Sequence, residues 1–219
     1  MTETIRRAIY GSGGLGRSIN ELGQSAGGEI VGFVDDYVQG FVDQLPILGK
    51  GHELERIAKE YDLQQVIIAL GDGYARERWD AFEGLIAADL VASPIVHPRA
   101  AIATSATIGY GSVVFAGTVI GSRVCVGRNC TLFSNCVLEH DDWLGDNVHL
   151  SPGVNLSGYV RVGAQSFLGT GAVVCPEVQI GQNVTVGAGA VVLHAVEDNI
   201  VVAGVPARVI RHKDGPRYY

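Results

Sequence analysis

Cysteine is scarce in this chain. Four residues, Cys125, Cys130, Cys136 and Cys175, stand in 219, with no C-x-x-C pair among them, which excludes a small disulfide framework and the usual zinc-ribbon spacing. Charge is sparse as well, at 18% of residues against 47% hydrophobic, a balance incompatible with intrinsic disorder. What charge there is leans negative, 16 basic residues against 23 acidic for a net −7, so no broad basic face exists for nucleic acid. No apolar run approaches the roughly 18 residues of a membrane span. The opening MTETIRRAIYGSGG has no signal-peptide core, and a cytoplasmic location is the expectation. Glycine, by contrast, is abundant: 30 residues, about twice ordinary usage. They follow no strict third-position rule, so the chain is not collagen-like.

Many of those glycines belong to a repeat. Counting in sixes from Ile102 to Val192 meets Ile, Leu or Val at all sixteen positions without an insertion. Glycine follows the aliphatic at eight of them, among them Gly109, Gly121, Gly127, Gly145 and Gly163. Four residues after each aliphatic stands something small or β-branched, including Ser112, Thr118, Cys130, Cys136 and Val148; Asp142 is the exception. Six is not a helical period and is too long for one pleat. It fits short strands joined by tight turns, one aliphatic per face pointing inward, three faces to a coil and about five coils in all. The expected fold is a parallel β-helix, and Cys130 and Cys136 are expected as small inward packing residues within it.

Residues before about 97 read differently. Ile5–Tyr10 is a short apolar strand running into Gly11-Ser12-Gly13-Gly14-Leu15-Gly16. Glu29–Val34 is a second strand ending in Asp35-Asp36, Pro46–Gly49 reads as a turn, and His52–Tyr61 as a helix. Gln65–Leu70 is a buried strand ending in Gly71-Asp72-Gly73, followed by a helix over Ala75–Ala87 and a last strand, Leu90–Val96. Alternating strands and helices predict a small Rossmann-like α/β domain with a parallel sheet. The division expected is 1–97 for this domain and 98–219 for the β-helix with its tail. Gly11, Gly13 and Gly16 match G-x-G-x-x-G, with Asp35 about 20 residues on, where such folds bond a ribose hydroxyl. The same glycines fit a dinucleotide, a nucleotide sugar at a helix N-terminus, or a tight turn with no ligand.

In an aliphatic prism, polar breaks in the pattern carry the information. Leu138-Glu139-His140-Asp141-Asp142-Trp143 is the most irregular repeat, with Glu in place of Gly and Asp in place of the small residue. A carboxylate on one imidazole nitrogen fixes the tautomer and leaves the other nitrogen to take a proton; a solvated His–Asp pair is the plainer alternative. His149, nine residues on, is half a coil away and should point elsewhere within one subunit. His97, His194 and His212 have no carboxylate partner in the sequence and read as structural. Arg208, Arg211, Lys213 and Arg217 make the tail basic, either as a solvated terminus or as a partner for phosphates.

The combination of GSGG, FVDD and IALGDG, an HP-A-x-I linker, coils carrying EHD, and the ending Gly204-Val205-Pro206-Ala207-Arg208 resembles the hexapeptide-repeat nucleotide-sugar N-acetyltransferases. These modify 4-amino-4,6-dideoxy sugars, as the UDP-N-acetylbacillosamine and GDP-perosamine enzymes do; sialic-acid O-acetyltransferases share the architecture. The resemblance spans nearly the whole chain and implies a left-handed β-helix, a homotrimer, acetyl-CoA as co-substrate and no metal. It implies His140 as general base, Asp141 as its orienting carboxylate and His149 as a contact to acetyl-CoA. Thr170, Gly187, Ala188 and Gly189 would lie along the pantetheine arm, with Arg208 near the CoA phosphates. Gly11, Gly13, Gly14, Leu15, Asp35, Asp36 and Gly73 would line the nucleotide-sugar site. Leu15 stands where many relatives carry His, and Phe133 where some carry a polar residue near the sugar. The alternatives set against this reading are O-acetylation of a sialic-acid-like hydroxyl, a zinc lyase of the hexapeptide carbonic anhydrase kind, and a non-catalytic nucleotide sensor.

Overall fold

Apolar runs of four to six residues, each closed by glycine or aspartate, build the first part of the computed structural model, which describes residues 4–71 and 75–213. The chain falls into two units, Met1–Pro98 and Arg99–Tyr219. In the first, strands β1 (Arg6–Tyr10), β2 (Glu29–Val34), β3 (Phe41–Val42), β4 (Leu45–Gly49) and β5 (Gln65–Ile68) form one sheet ordered β3-β4-β2-β1-β5. The β1–β2, β1–β5 and β2–β4 pairings are parallel. Helices α1 (Gly14–Ala26), α2 (Leu54–Glu60) and α3 (Ala75–Ala87) supply the crossovers. Alternation along the strands divides the core. Ala8, Val34, Val66 and Ile68 join Leu48, Ile57, Phe82 and Leu85 in one cluster. The intervening Ile9, Phe33 and Ile67 are fully buried, as is Ile19 of α1.

Two expectations are corrected here. Pro46–Gly49 is not a turn but part of β4, the second arm of a β3–β4 hairpin. The turn lies at Asp43 and Gln44, both at positive φ (48° and 69°), the pairing that suits the twist of a two-residue hairpin. Leu90–Val96 is not one strand. Val91 makes a single parallel bridge to Val66, and Ile95–Val96 forms a separate two-residue strand beyond Pro94, whose missing N–H cannot serve a ladder.

The β1–α1 turn shows why its glycines are not interchangeable. A methyl on Gly16 would stand 2.0 Å from the Gly11 carbonyl oxygen, whereas one on Gly13 or Gly14 meets nothing within 4 Å. Backbone cannot swing aside as a side chain does. Gly16→Ala should therefore destabilise this unit by about 1–3 kcal/mol, seen as a lower urea midpoint, with Gly14→Ala unchanged as the control.

From Ala101 onward the chain winds in 18-residue coils of three two-residue strands. Val119–Ile120 pairs in parallel with Ala101–Ile102 before it and Val137–Leu138 after it. The same 18-residue register runs up the other two faces, as from Cys125–Val126 to Trp143–Leu144 and from Thr131–Leu132 to His149–Leu150. Of the sixteen repeat aliphatics, all but the first two, Ile102 and Ile108, are buried; the first coil has no earlier coil to cover them. Each buried Leu, Ile or Val contributes about 1.5–3 kcal/mol of transfer free energy, so the column is self-supporting once several coils stack.

From Gly111 to Gly189 each corner places a residue in the left-handed region, among them Arg123, Asn129, Asn135, Asp141, Asn147, Gly153, Tyr159 and Gln165. Asn, Asp and Gly tolerate that conformation best, which explains their recurrence. The residue after it points inward, as Cys130 and Cys136 do, both fully buried. Burial pushes the Cys136 thiol up to about 11, so it stays a thiol and donates to the Ser151 carbonyl at 3.2 Å.

Candidate active site

The turn between β1 and α1 exposes Gly13 and Gly14 at the helix N-terminus. No side chain caps this helix and no acidic residue lies in its first turn. Its N–H groups and positive dipole end are thus presented to an anion. Leu15, the next residue, is half-buried. Asp35 and Asp36, just past the end of β2, are remote in sequence from this turn, and their oxygens are engaged within the protein. Asp35 Oδ2 accepts from the Ser12 N–H (2.9 Å) and hydroxyl (2.6 Å), and Oδ1 from the Tyr37 and Val38 N–H groups, both at 3.0 Å. Burial pushes its carboxyl up, yet these four bonds outweigh that and hold it below the usual range. Asp36 accepts from the Tyr10 hydroxyl at 2.7 Å and the Gly51 N–H at 2.9 Å. Both aspartates therefore shape the loop around the glycine turn. Gly11, at φ 110°, is buried with a would-be methyl 2.7 Å from the Ala69 carbonyl, a packing glycine like Gly16. Gly73 lies outside the described residues.

In the β-helix, the corner at 139–142 carries the irregular repeat. Asp141 takes the left-handed position (φ 62°), which turns His140 outward and Asp142 inward. His140 Nδ1 lies 2.9 Å from Asp141 Oδ2, and the imidazole is half exposed while the carboxylate is mostly covered. Arg123, one coil earlier at the same corner, donates from Nε and Nη2 to the two Asp141 oxygens, each at 2.7 Å. That bidentate pair and His140 hold the Asp141 carboxyl down to about 2, so it is ionised at any working pH. One coil later, the Tyr159 N–H donates to the His140 carbonyl at 3.1 Å, and the Tyr159 ring meets the imidazole edge-on at 5.1 Å. A methyl on Gly158 would stand 3.2 Å from His140 Cε1 and Nε2. The imidazole is thus fixed through Nδ1, with Nε2 lying over a residue that has no side chain.

His149 is in another setting. Only 5% exposed, its ring lies between Phe133 and Phe167, with centroids 5.1 Å from each; Phe115 stacks on Phe133 at 4.9 Å. The structure places His140 at a corner and His149 on the strand of another face, as their nine-residue spacing predicts. Thr170 and the Gly187-Ala188-Gly189 turn share one corner in consecutive coils: the Gly189 N–H donates to the Thr170 carbonyl at 2.8 Å, and Thr170, Ala188 and Gly189 are exposed. Arg208 is exposed on the final strand, Arg208–His212, and Arg217 lies outside the described residues. Among the described residues no cluster of three His, Cys, Asp or Glu side chains could hold a metal ion, and no helix is long and apolar enough to cross a membrane.

Sequence reasoning did not single out Arg123, Gly158 or Tyr159. The signal was available: 123, 141 and 159 are spaced by 18, the length of one coil.

The chain thus combines a glycine-turned α/β domain with coils of hexapeptide repeats. Residues 7–80 match the PglD N-terminal domain and residues 159–194 the bacterial transferase hexapeptide (six repeats). The acetyltransferase domain of PglB from Neisseria gonorrhoeae, solved with acetyl coenzyme A, is 34% identical with a TM-score of 0.88, over 95% of this chain and 100% of that one. PerB from Caulobacter crescentus, solved with CoA and GDP-perosamine, is 31% identical with a TM-score of 0.88, over 95% and 98% of the two chains. WeeI from Acinetobacter baumannii is 25% identical with a TM-score of 0.83, over 94% and 100%. The chain belongs to this family of hexapeptide acyltransferases with a PglD-type N-terminal domain, and its second unit is their left-handed β-helix.

Proposed function

We propose that this protein transfers the acetyl group of acetyl-CoA to the amino group of a nucleotide-linked 4-amino-4,6-dideoxy sugar, of the GDP-perosamine or UDP-bacillosamine type, for surface glycan biosynthesis. The observation that carries the reading is the His140–Asp141 pair, with Nδ1 held at 2.9 Å and the ring half exposed, in a chain 31% identical to an enzyme solved with CoA and GDP-perosamine. In two further structures of the Caulobacter perosamine N-acetyltransferase, a histidine is replaced by Asn or Ala while CoA and GDP-perosamine are both bound.

The chemistry is direct attack in a ternary complex. The sugar nitrogen adds to the thioester carbonyl carbon, and His140 Nε2 accepts the proton that the nitrogen sheds. The tetrahedral oxyanion then collapses, the C–S bond breaks, and the proton passes from His140 to the departing CoA sulfur. Backbone N–H groups of the coil are the natural oxyanion donors. No acyl-enzyme forms, so no nucleophilic Ser or Cys is required. Asp141, fixed by Arg123, keeps the imidazole in the tautomer with Nε2 unprotonated. Gly13 and Gly14 receive the diphosphate at the α1 N-terminus, and Asp35 and Asp36 hold that loop in shape. In the working homotrimer, acetyl-CoA extends past His149, Thr170 and Gly187–Gly189 with its phosphates near Arg208.

The test is thiol release from acetyl-CoA with a panel of GDP-, UDP- and dTDP-linked 4-amino-4,6-dideoxy sugars, with free sialic acid as the hydroxyl acceptor. Release with an amino sugar, giving an alkali-stable amide, is expected. Release only with sialic acid, giving an alkali-labile ester, would move the protein to O-acetylation. Silence without acetyl-CoA binding would overturn the transferase reading altogether.

A further inference from the structure

The inward corner row of the β-helix contains one residue out of chemical place. At five positions the small inward side chain donates to the carbonyl fifteen residues ahead. Ser112 reaches Gly127 O at 2.9 Å, Thr118 reaches Phe133 O at 2.8 Å and Ser166 reaches Gly181 O at 2.9 Å. The two thiols, Cys130 and Cys136, reach Gly145 O and Ser151 O, both at 3.2 Å. At two of the five the same oxygen also accepts the N–H eighteen residues ahead: Cys130 N–H to Ser112 Oγ at 2.9 Å and Val184 N–H to Ser166 Oγ at 3.0 Å. A hydroxyl can do both because it is donor and acceptor at once.

Asp142 occupies this row, 1% exposed. It performs the accepting half: the Val160 N–H, eighteen residues ahead, donates to Oδ1 at 2.8 Å. Its other oxygen, Oδ2, is buried without a partner. The carbonyl that answers to those acceptors, fifteen residues ahead, is that of Ser157, in a corner that differs from theirs in placing two residues, Gly158 and Tyr159, at positive φ (91° and 54°). An ionised carboxylate has no hydrogen to send and would leave a buried charge opposite a carbonyl dipole, the costliest arrangement available to it.

We propose that Asp142 folds as a carboxylic acid and keeps its proton on the acid side of neutrality, its Oδ2–H donating to the Ser157 carbonyl, and that there the resulting pair of bonds positions the Ser157–Val160 segment on which the His140 ring rests. Burial, which pushes this carboxyl up to about 6, acts in the same direction. The charged groups around it are accounted for. Against burial, the Val160 and Glu139 N–H groups and the His140 ring favour its ionisation, while the Glu139 charge opposes it; burial is the largest of these effects. From the coil before, Arg123 is spent on Asp141. From the coil after, Tyr159 turns its phenol toward Arg123. The anchored segment carries Gly158, under the imidazole, and Tyr159, against its edge. Asp142 is thus a positioning residue: it acts on His140 through the next coil and touches no substrate. Its bearing on catalysis rests on His140 being the base, but its protonation does not.

The sign of the pH dependence follows from linkage. A carboxyl whose folded-state pKa is raised binds its proton more tightly in the native state, so its stabilisation is complete below the unfolded value, near 4, and is lost as pH rises through about 6. Melting temperatures of the full-length parent and of Asp142→Asn, Asp142→Ser and Asp142→Ala, taken between about pH 4 and pH 8, test this. Asn supplies an N–H and a carbonyl in the shape of the neutral acid; Ser restores the residue type of the row. The gap between Asp142→Asn and the parent should open in favour of Asn as pH rises and stay open above about 7, with Asp142→Ser following the same pH course and Asp142→Ala lowest throughout. A gap independent of pH would overturn the protonated acid. The positioning role is read separately from the His140 imidazole NMR resonances, assigned by their loss in His140→Ala. They should shift in Asp142→Ala and return in Asp142→Ser; indifference to Asp142→Ala would overturn it. Neither readout needs turnover, so an inactive parent would overturn the proposed reaction and leave the inference about Asp142 decided on its own terms.

Discussion

Replacing His140 with alanine should leave the β-helix folded and lower kcat by about 10²- to 10⁴-fold, the range that general-base removal costs. The fold survives because the imidazole is half exposed and outside the aliphatic column; the ring contributes one edge contact, to Tyr159. The rate does not survive because a sugar amine attacking a thioester must shed a proton as the new bond forms, and no second base stands at this corner. Asp141 is held ionised by Arg123, so weak a base that it cannot replace the imidazole, and Glu139 is exposed. KM for acetyl-CoA should be nearly unchanged, since His140 is assigned to the acceptor. Circular dichroism and steady-state thiol release check both halves. Activity within about threefold of the parent would remove His140 from the chemistry.

Gly13→Asp should separate stability from function in the other unit. Nothing lies within 4 Å of a methyl built at Gly13, the N-cap of α1, and this helix has neither a capping side chain nor an acidic first turn. An aspartate there gains the N-cap hydrogen bond and the dipole interaction, so the variant should be no less stable, by thermal melting, than the parent. The same carboxylate sits where a diphosphate would be received and repels it. KM for the nucleotide sugar should rise by about 10- to 100-fold, with KM for acetyl-CoA unchanged. A loss confined to acetyl-CoA would show that the glycine turn is not the nucleotide-sugar site.

How much of this is legible in the sequence follows from the length scale of each interaction. The β-helix is, because its determinant is a six-residue period in aliphatic side chains, visible at any point from Ile102 to Val192. His140 and Asp141 were legible as sequence neighbours inside the most irregular repeat, between the misfits Glu139 and Asp142. Asp142 was visible as the one misfit in the inward row, though not what the misfit does. Asp35 and Asp36 show the limit. Beyond the neighbouring Tyr37 and Val38, their oxygens are engaged by Ser12, Tyr10 and Gly51, which come from segments remote in sequence. Arg123 lies between these cases: its pairing with Asp141 is remote in sequence but falls on the coil length. The turn at Asp43–Gln44 was passed over because Pro46 and Gly49 are the stronger turn residues by type, and only their pairing partners make them a strand.

The strict 18-residue register has a consequence for how such a chain can change length. Deleting a single residue from any coil would carry every later aliphatic out of the column, so the prism has no small slack to give. Adding six residues keeps each aliphatic inward, since the inward rule repeats every six, but carries everything downstream around by a third of a turn: the column of Thr131, His149 and Phe167 would continue on a neighbouring face. Adding eighteen preserves every face and simply extends the axis by one strand spacing, about 4.8 Å. The coils therefore work as a graduated rule with separate settings for rotation and for height. The height setting fixes, in steps of about 4.8 Å, how far the His140 corner stands along the axis from the corners of Thr170 and Gly189, 30 and 49 residues further along the chain.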